Sequence, residues 1–217
     1  MIPNVDMIHL TKEVDSMDKL NTSKPMSLGF IGGSLYSAVG YAHAVSASMD
    51  HRWTLAAGCF STDMQKNLKT SQEYGVSHDR MYDSWQNLLK KEKECLDAVA
   101  ILTPTPSHYD IVAECLKEGI PVICEKSLVA NSADAKALLE LRDQKKAFLA
   151  VTYNYSGYPM VRELRSLIRN GTLGAIRHFQ AEMPQEGYIR VDMHGKKPVP
   201  QSWRLSDGTV PMIHLDL

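Results

Sequence analysis

Residues 97–127 read DAVAILTPTPSHYDIVAECLKEGIPVICEKS, and this stretch restricts the fold more than any other. The apolar run Ala98–Leu102 has the length and β-branched content of a strand. Thr103-Pro104-Thr105-Pro106 stops it, because two prolines cannot continue a ladder or a helix interior. Ile111, Val112, Cys115 and Leu116 then recur at helical spacing, and Gly119 stands where a helix C-cap is expected. A second apolar run, 121–124, leads straight into Glu125-Lys126. Strand, turn, helix, glycine and strand make a βαβ crossover, which predicts a right-handed connection between parallel strands. In such sheets ligands sit outside the carboxyl ends of the strands. The turn 103–108 and the pair Glu125-Lys126 both lie at those ends, so the pattern predicts that they face one crevice.

Strand and helix alternate on both sides of this stretch. Residues 27–32 (SLGFIG) predict the first strand, followed by a helix through about Met49 with Ala42, Val45 and Met49 turned inward. Trp53–Cys59 predicts a second strand, 62–74 a helix, and 84–94 a third helix, apolar at Trp85, Leu88 and Leu89. The charged remainder of that helix reads as a solvated face. Further on, Asn131 or Ser132 caps a helix with Ala135, Leu138, Leu139 and Leu141 inside. Residues 147–152 predict a strand. Residues 158–170 predict a helix with Val161, Leu164, Leu167 and Ile168 on one side. Alternation throughout 27–155 argues for an α/β fold with a doubly wound parallel sheet.

Beyond Gly174 the texture changes. Residues 175–183 alternate apolar and polar as a half-solvated strand does. Residues 184–209 are rich in Pro, Gly and charge, and 210–217 open like a helix with Pro211 in its first turn. A single strand with an apolar face cannot form a domain alone. Residues 156–217 therefore read as a linker helix and the start of a second domain whose remainder is missing. Residues 1–26, polar and weakly patterned, read as a loosely ordered N-terminal arm.

Charges nearly cancel, 24 basic against 25 acidic, so nothing points to nucleic acid or an acidic membrane surface as a partner. Cys59, Cys95, Cys115 and Cys124 are widely spaced with no CxxC, and the three in apolar strand or helix contexts read as small buried hydrophobes; no metal is expected. A reducing cytoplasm fits best. Asp6, Lys12, Glu13, Asp15 and Asp18 interrupt any signal-peptide core. No apolar run approaches the roughly 20 residues that span a bilayer.

The first predicted strand runs into Gly32-Gly33-Ser34-Leu35-Tyr36-Ser37-Ala38-Val39-Gly40, and the helix follows that loop. A glycine turn between a strand and a helix N-terminus is where a dinucleotide pyrophosphate is held. The strict spacing is not met: counted from Gly32, the second glycine position is Ser34 and the third Ser37. As the first βα turn of an alternating chain, the loop reads as an NAD or NADP site; the plainer reading is an ordinary tight turn. At the end of the second strand an acidic residue would bond the ribose 2′-hydroxyl. Phe60 or Ser61 takes that place, and Asp63 comes late. Ser61 and Thr62, with Lys66 about one turn on, suit a 2′-phosphate, which favours NADP.

With these residues placed, the chain resembles the glucose–fructose oxidoreductase / inositol dehydrogenase / rhizopine catabolism (Gfo/Idh/MocA) family over about residues 27–217. Four pieces carry the likeness: GFIGG…G…H (29–43), ILTPTPSH (101–108), GIPVICEKS (119–127) and WRLSDG…HLDL (203–217). The third is close to the family's Glu-Lys-Pro signature at a strand end, and 154–177 looks like the bridge between domains. The resemblance implies an NAD(P)-dependent oxidoreductase acting on a sugar, cyclitol or related polyol. It implies a Rossmann domain (27–155) joined to an α+β domain with an open, mainly antiparallel sheet. By the same likeness Lys126 is catalytic, touching nicotinamide ribose and substrate, where an ammonium can polarise a hydroxyl or carbonyl. Glu125 would hold the cofactor ribose, and Thr103, Pro104 and His108 would line the turn beside the cofactor. Asp216 matches the aspartate of the Asp-x-Gly-x-His motif. Gly32, Gly33, Ser34, Leu35, Ser61 and Thr62 complete the expected cofactor set.

Three departures bear on this reading. Ser127 replaces the signature proline, which usually sits in a cis peptide, so the backbone that aims Lys126 is expected to differ. Thr105 stands where the family often has Asn. The chain ends at Leu217, ahead of the motif's Gly and His, the latter being the usual general acid/base. His214 would point elsewhere on a helix. The expectation is thus a truncated oxidoreductase, with two alternatives: a nucleotide-binding pseudoenzyme or regulatory remnant, and a transferase or epimerase on the same fold. The missing sheet is the family's usual dimer surface, which leaves a homo-oligomer open. The strand 175–183 is expected to be poorly supported and the chain prone to associate.

Overall fold

The structure, a computed structural model, describes residues 24–205 apart from 183, 185 and 188, with the backbone alone at Ala38. Residues 1–23 of the expected arm, the helix expected at 210–217, His214 and Asp216 lie outside the described residues, while Met26 belongs to the first strand. The chain divides into two compact units inside one strand, the first ending at Val99 and the second beginning at Ala100.

In the first unit, β1 (Met26–Gly32) and β2 (Trp53–Cys59) pair in parallel, from Met26 against Trp53 to Ile31 against Cys59. Helices α1 (Ala38–Ser48), α2 (Met64–Glu73) and α3 (Trp85–Glu92) follow in turn. The two later helices open on caps that the sequence supplies. Asp63 accepts from the N–H groups of Gln65 and Lys66, and Ser84 from that of Asn87. Met81 makes a single parallel bridge to Gly58, and Tyr82 N donates to Gly58 O at 2.8 Å. The core centres on Phe30, fully buried, with the rings of Phe60, Tyr74 and His43 edge-on around it at 6.3–6.4 Å.

β3 (Ala98–Leu102) is buried at all five residues, as a strand covered on both faces must be. The second unit continues with α4 (His108–Lys117), β4 (Val122–Glu125), α5 (Ser132–Lys145), β5 (Leu149–Thr152) and α6 (Pro159–Arg169). β4 and β5 pair in parallel from Val122 against Leu149 to Glu125 against Thr152. Ile111, Val112, Cys115 and Leu116 are all buried, and Gly119 has the left-handed φ of +75° that closes α4. The strands stand in the order β2-β1-β3-β4-β5. Counting the Met81 bridge as a one-residue strand beyond β2 turns this into the 3-2-1-4-5-6 order of a dinucleotide-binding sheet.

Four expectations need correction. In α1, Ala42, Val45 and Met49 face solvent, and the covered positions are Gly40, His43, Ala44 and Ala47. In α5, Leu138 is buried but Leu139 is exposed. In α3, Glu92 is buried rather than part of a solvated face. Residues 175–182 carry no regular secondary structure and are exposed throughout, since no described strand offers them a ladder. On α6 the residues Val161, Leu164 and Ile168 do share one side, yet all three are exposed.

Candidate functional site

The turn after β1 owes its shape to glycine. Gly32 and Gly33 have φ of +83° and +74°, a backbone that side chains oppose. A Cβ on Gly40 would lie 2.2 Å from the Gly33 carbonyl oxygen, so only glycine lets α1 start this close to the loop. Ser37 caps α1, its hydroxyl accepting from Gly40 N at 3.4 Å. Ser37 is therefore not a missing glycine, and the close-packing role sits at Gly40. Helix α2 fastens the loop from the side. Leu35 N donates to Thr70 Oγ1 and Tyr74 OH donates to Gly33 O, each at 3.3 Å. Thr70, fully buried, in turn donates its hydroxyl to Lys66 O at 2.7 Å. A fixed glycine turn before the unpaired N–H groups of a helix N-terminus suits a pyrophosphate.

The end of β2 explains the absent acid. Phe60 is turned into the core, its N–H donating to Asn67 Oδ1 at 2.7 Å. Asp63 spends its carboxylate on the α2 cap, with Lys66 Nζ 3.8 Å away. Ser61 is half-buried and Thr62 exposed. Around them stand exposed cations: Lys66 Nζ and Lys69 Nζ lie 5.8 Å and 6.0 Å from the ring centre of Tyr36, which belongs to the glycine turn.

In the second unit the turn after β3 and the end of β4 are joined, as the crossover predicts. Thr152 Oγ1 donates to Glu125 Oε1 at 2.7 Å, and Lys126 N lies 3.3 Å from Glu125 Oε2. Glu125, Lys126 and Ser127 are all half-buried. The Lys126–Ser127 peptide is cis, so the backbone form expected of the signature proline is kept with serine in its place. Ser107 Oγ lies 2.8 Å from Thr103 Oγ1, and Pro104 is exposed. Thr105 is turned inward and buried. His108 differs from its expected place beside a cofactor: its ring is fully buried, with Nε2 2.7 Å from Thr103 O and Nδ1 2.8 Å from Ser127 O.

Asn67, Thr70 and Tyr74 escaped the sequence reading. The signal was a polar stripe at i, i+3 and i+7 on the face of α2 that should have been apolar. Thr152 was hidden because its role needs the register with Glu125. Burial pushes the thiols of Cys59 and Cys115 up to about 12 and that of Cys124 further still, so none is a ready nucleophile.

Fold and loop together define a dinucleotide-binding Rossmann chain. The family model described as "Oxidoreductase family, NAD-binding Rossmann fold" (Gfo/Idh/MocA) matches residues 26–153, and this chain belongs to that family. An uncharacterized oxidoreductase of Bacillus subtilis (strain 168), YfiI, is 32% identical over 187 residues, covering 84% of this chain and 47% of that protein. The trans-1,2-dihydrobenzene-1,2-diol dehydrogenase of Bos taurus is 31% identical over 120 residues, 54% of this chain and 35% of its own. Among solved structures, an inositol dehydrogenase homolog from Azotobacter vinelandii, complexed with NADH and myo-inositol, superposes with a TM-score of 0.67. Its identity is 30%, over 71% of this chain and 42% of that one. The chain thus spans less than half the length of these relatives. Among the described residues no helix is long and apolar enough to cross a membrane.

Proposed function

We propose that this chain is the cofactor-binding part of an NAD(P)-dependent oxidoreductase acting on a sugar, cyclitol or related polyol. The observation that carries the reading is the end of β4, where Glu125 is held by Thr152 and Lys126 stands beside a fixed turn, in a chain of this family. Residues 27–155 form the nucleotide domain in this reading, and 156–217 begin the substrate domain. Gly32, Gly33, Ser34 and Leu35 hold the pyrophosphate; Thr103, Pro104 and Glu125 flank the nicotinamide ribose. When bound, the nicotinamide supplies the hydride acceptor or donor. Lys126 orients the substrate oxygen, and its ammonium stabilises charge on that oxygen while a proton moves. Asp216 joins the catalytic set by family likeness alone. Named relatives that act on a cyclic diol or bind a cyclitol support the polyol class. Ser61, Thr62, Lys66 and Lys69 favour NADP over NAD, since a 2′-phosphate would meet two cations and no carboxylate free of its cap.

Nicotinamide fluorescence during titration with NADH and NADPH tests this. NADPH is expected to bind about tenfold more tightly, the worth of one charge-assisted bond, and Lys66→Ala to erase the difference. Binding of neither cofactor would sink the reading. With either bound, a panel of sugars and polyols reports turnover, which Lys126→Ala should lower by about 10²–10⁴-fold. Binding without turnover on the whole panel supports the non-catalytic nucleotide binder instead.

A further inference from the structure

His108 makes two hydrogen bonds that an ordinary histidine cannot make together. Its Nε2 is 2.7 Å from Thr103 O and its Nδ1 2.8 Å from Ser127 O, and both partners are backbone carbonyls, which only accept. A neutral imidazole carries one N–H. In either neutral tautomer one bare nitrogen would face a carbonyl lone pair inside a site that solvent does not reach, the residue being 0% exposed. Turning the ring over offers no escape. A flip puts Cδ2 and Cε1 at these 2.7–2.8 Å positions, far inside the usual C–H···O separation of about 3.3–3.6 Å.

We propose that His108 is held as the imidazolium, donates both bonds, and is thereby the positioning residue for Lys126. Thr103 is the first residue after β3, and Ser127 directly follows Lys126. One ring that holds both carbonyls sets the spacing between the turn and the peptide that carries the lysine. The ring is itself fixed, because His108 opens α4 and the residues behind it, Ile111 and Val112, are buried. A short polar side chain could reach one carbonyl, and an aromatic ring could fill the space, but only a two-nitrogen ring does both. That Lys126 is the residue so positioned for catalysis rests on the oxidoreductase reading above. The clamp itself does not.

The test uses the 217-residue chain with ¹⁵N-labelled histidine and no added ligand. Both ring nitrogens of His108 are expected at the protonated position, each with an N–H proton shielded from exchange. One protonated and one bare nitrogen would overturn the two-donor clamp. Hydrogen exchange on His108→Phe, which keeps ring volume but neither donor, then tests the positioning. Amides of 125–128 are expected to exchange about tenfold faster, the usual cost of an unmade buried bond, while those of β1 and β2 stay unchanged. Unchanged exchange at 125–128 in the folded variant would overturn it. Where the wild type turns over substrate, His108→Phe, left with neither donor, is expected to lose about 10²-fold in kcat with little change in cofactor affinity, as a misaimed group does. A failure to bind either nicotinamide cofactor leaves the nitrogen and exchange results intact, so the two readings fail separately.

Discussion

Glu92 keeps a charge where solvent reaches 4% of the residue. Arg80 grips it with both arms, Nε to Oε1 at 2.9 Å and Nη2 to Oε2 at 2.6 Å, and Tyr82 OH adds a third bond at 2.8 Å. The bonds from Arg80 hold the carboxyl below its ordinary range against the pull of desolvation. Burial, with the bond to Glu92, pushes the Tyr82 phenol up to about 12, so it stays a donor. Because the folded carboxyl binds its proton more weakly than the unfolded one, its stabilisation is fully present above the ordinary value of 4.5. It is lost as pH falls through the lower, folded value. Glu92→Gln should therefore cost about 2 kcal/mol at pH 7, less than the ~3–5 kcal/mol of a fully buried pair because Arg80 is partly in solvent. Urea denaturation at pH 7 and again near pH 3 checks this, with the gap to wild type expected to close in acid. Nothing in the charged run 84–94 distinguished Glu92 from its neighbours. Its partner lies twelve residues back, in a turn that the Met81 bridge and the bonds of Tyr82 backbone to Gly58 and Asn67 fasten down.

Elements defined by bulky residues were legible, and elements defined by small ones were not. Ala98–Leu102 and Trp53–Cys59 are strands over the whole of the predicted ranges, and α4 buries the four residues that its spacing nominated. Helix α1 has Tyr41, Ala42 and Val45 outside and Gly40, His43, Ala44 and Ala47 on its covered side, so hydrophobic periodicity pointed to the wrong face. The loop sets its phase. Gly40 must meet Gly33, and positions 43, 44 and 47 then follow on the same side. The Lys126 end of the candidate site was legible as a motif, but not the His108 bridge, because a histidine in a turn gives no hint of which carbonyls it will meet. The α1 argument makes a paired prediction. Gly40→Ala should cost about 1–3 kcal/mol through overpacking against backbone, and weaken NAD(P)H binding with it. Val45→Ser, on the exposed side, should stay within about 0.5 kcal/mol. Thermal melts and cofactor titration of both variants separate this phase from the one expected from periodicity, which would reverse the order.

At the scale of the whole molecule, alternation alone led to a doubly wound sheet, but not to its outermost strand. A strand one residue long at Met81 leaves no apolar run to read. The sequence also leads to the expectation of a poorly supported end. Val161, Leu164 and Ile168 form a stripe along α6, and Ile176 and Phe179 follow on chain without a ladder; all five are exposed. Tyr155 and Tyr158, also exposed, pack edge-on at 5.5 Å just ahead of that helix. Contiguous apolar surface of this kind drives association in soluble proteins. The 217-residue chain is thus expected to show a mass by light scattering that rises with concentration. Placing charges on the stripe, as Leu164→Glu with Ile168→Lys, should return it towards a monomer. The same double variant should leave the melt almost unmoved, within about 0.5 kcal/mol per site, because neither side chain is packed. A monodisperse wild-type monomer with a cooperative melt would mean that the stripe is covered. A variant that loses its cooperative melt would mean that α6 packs on the sheet more than its exposure indicates. Only reversal of association with folding intact fits a helix whose apolar side stands open.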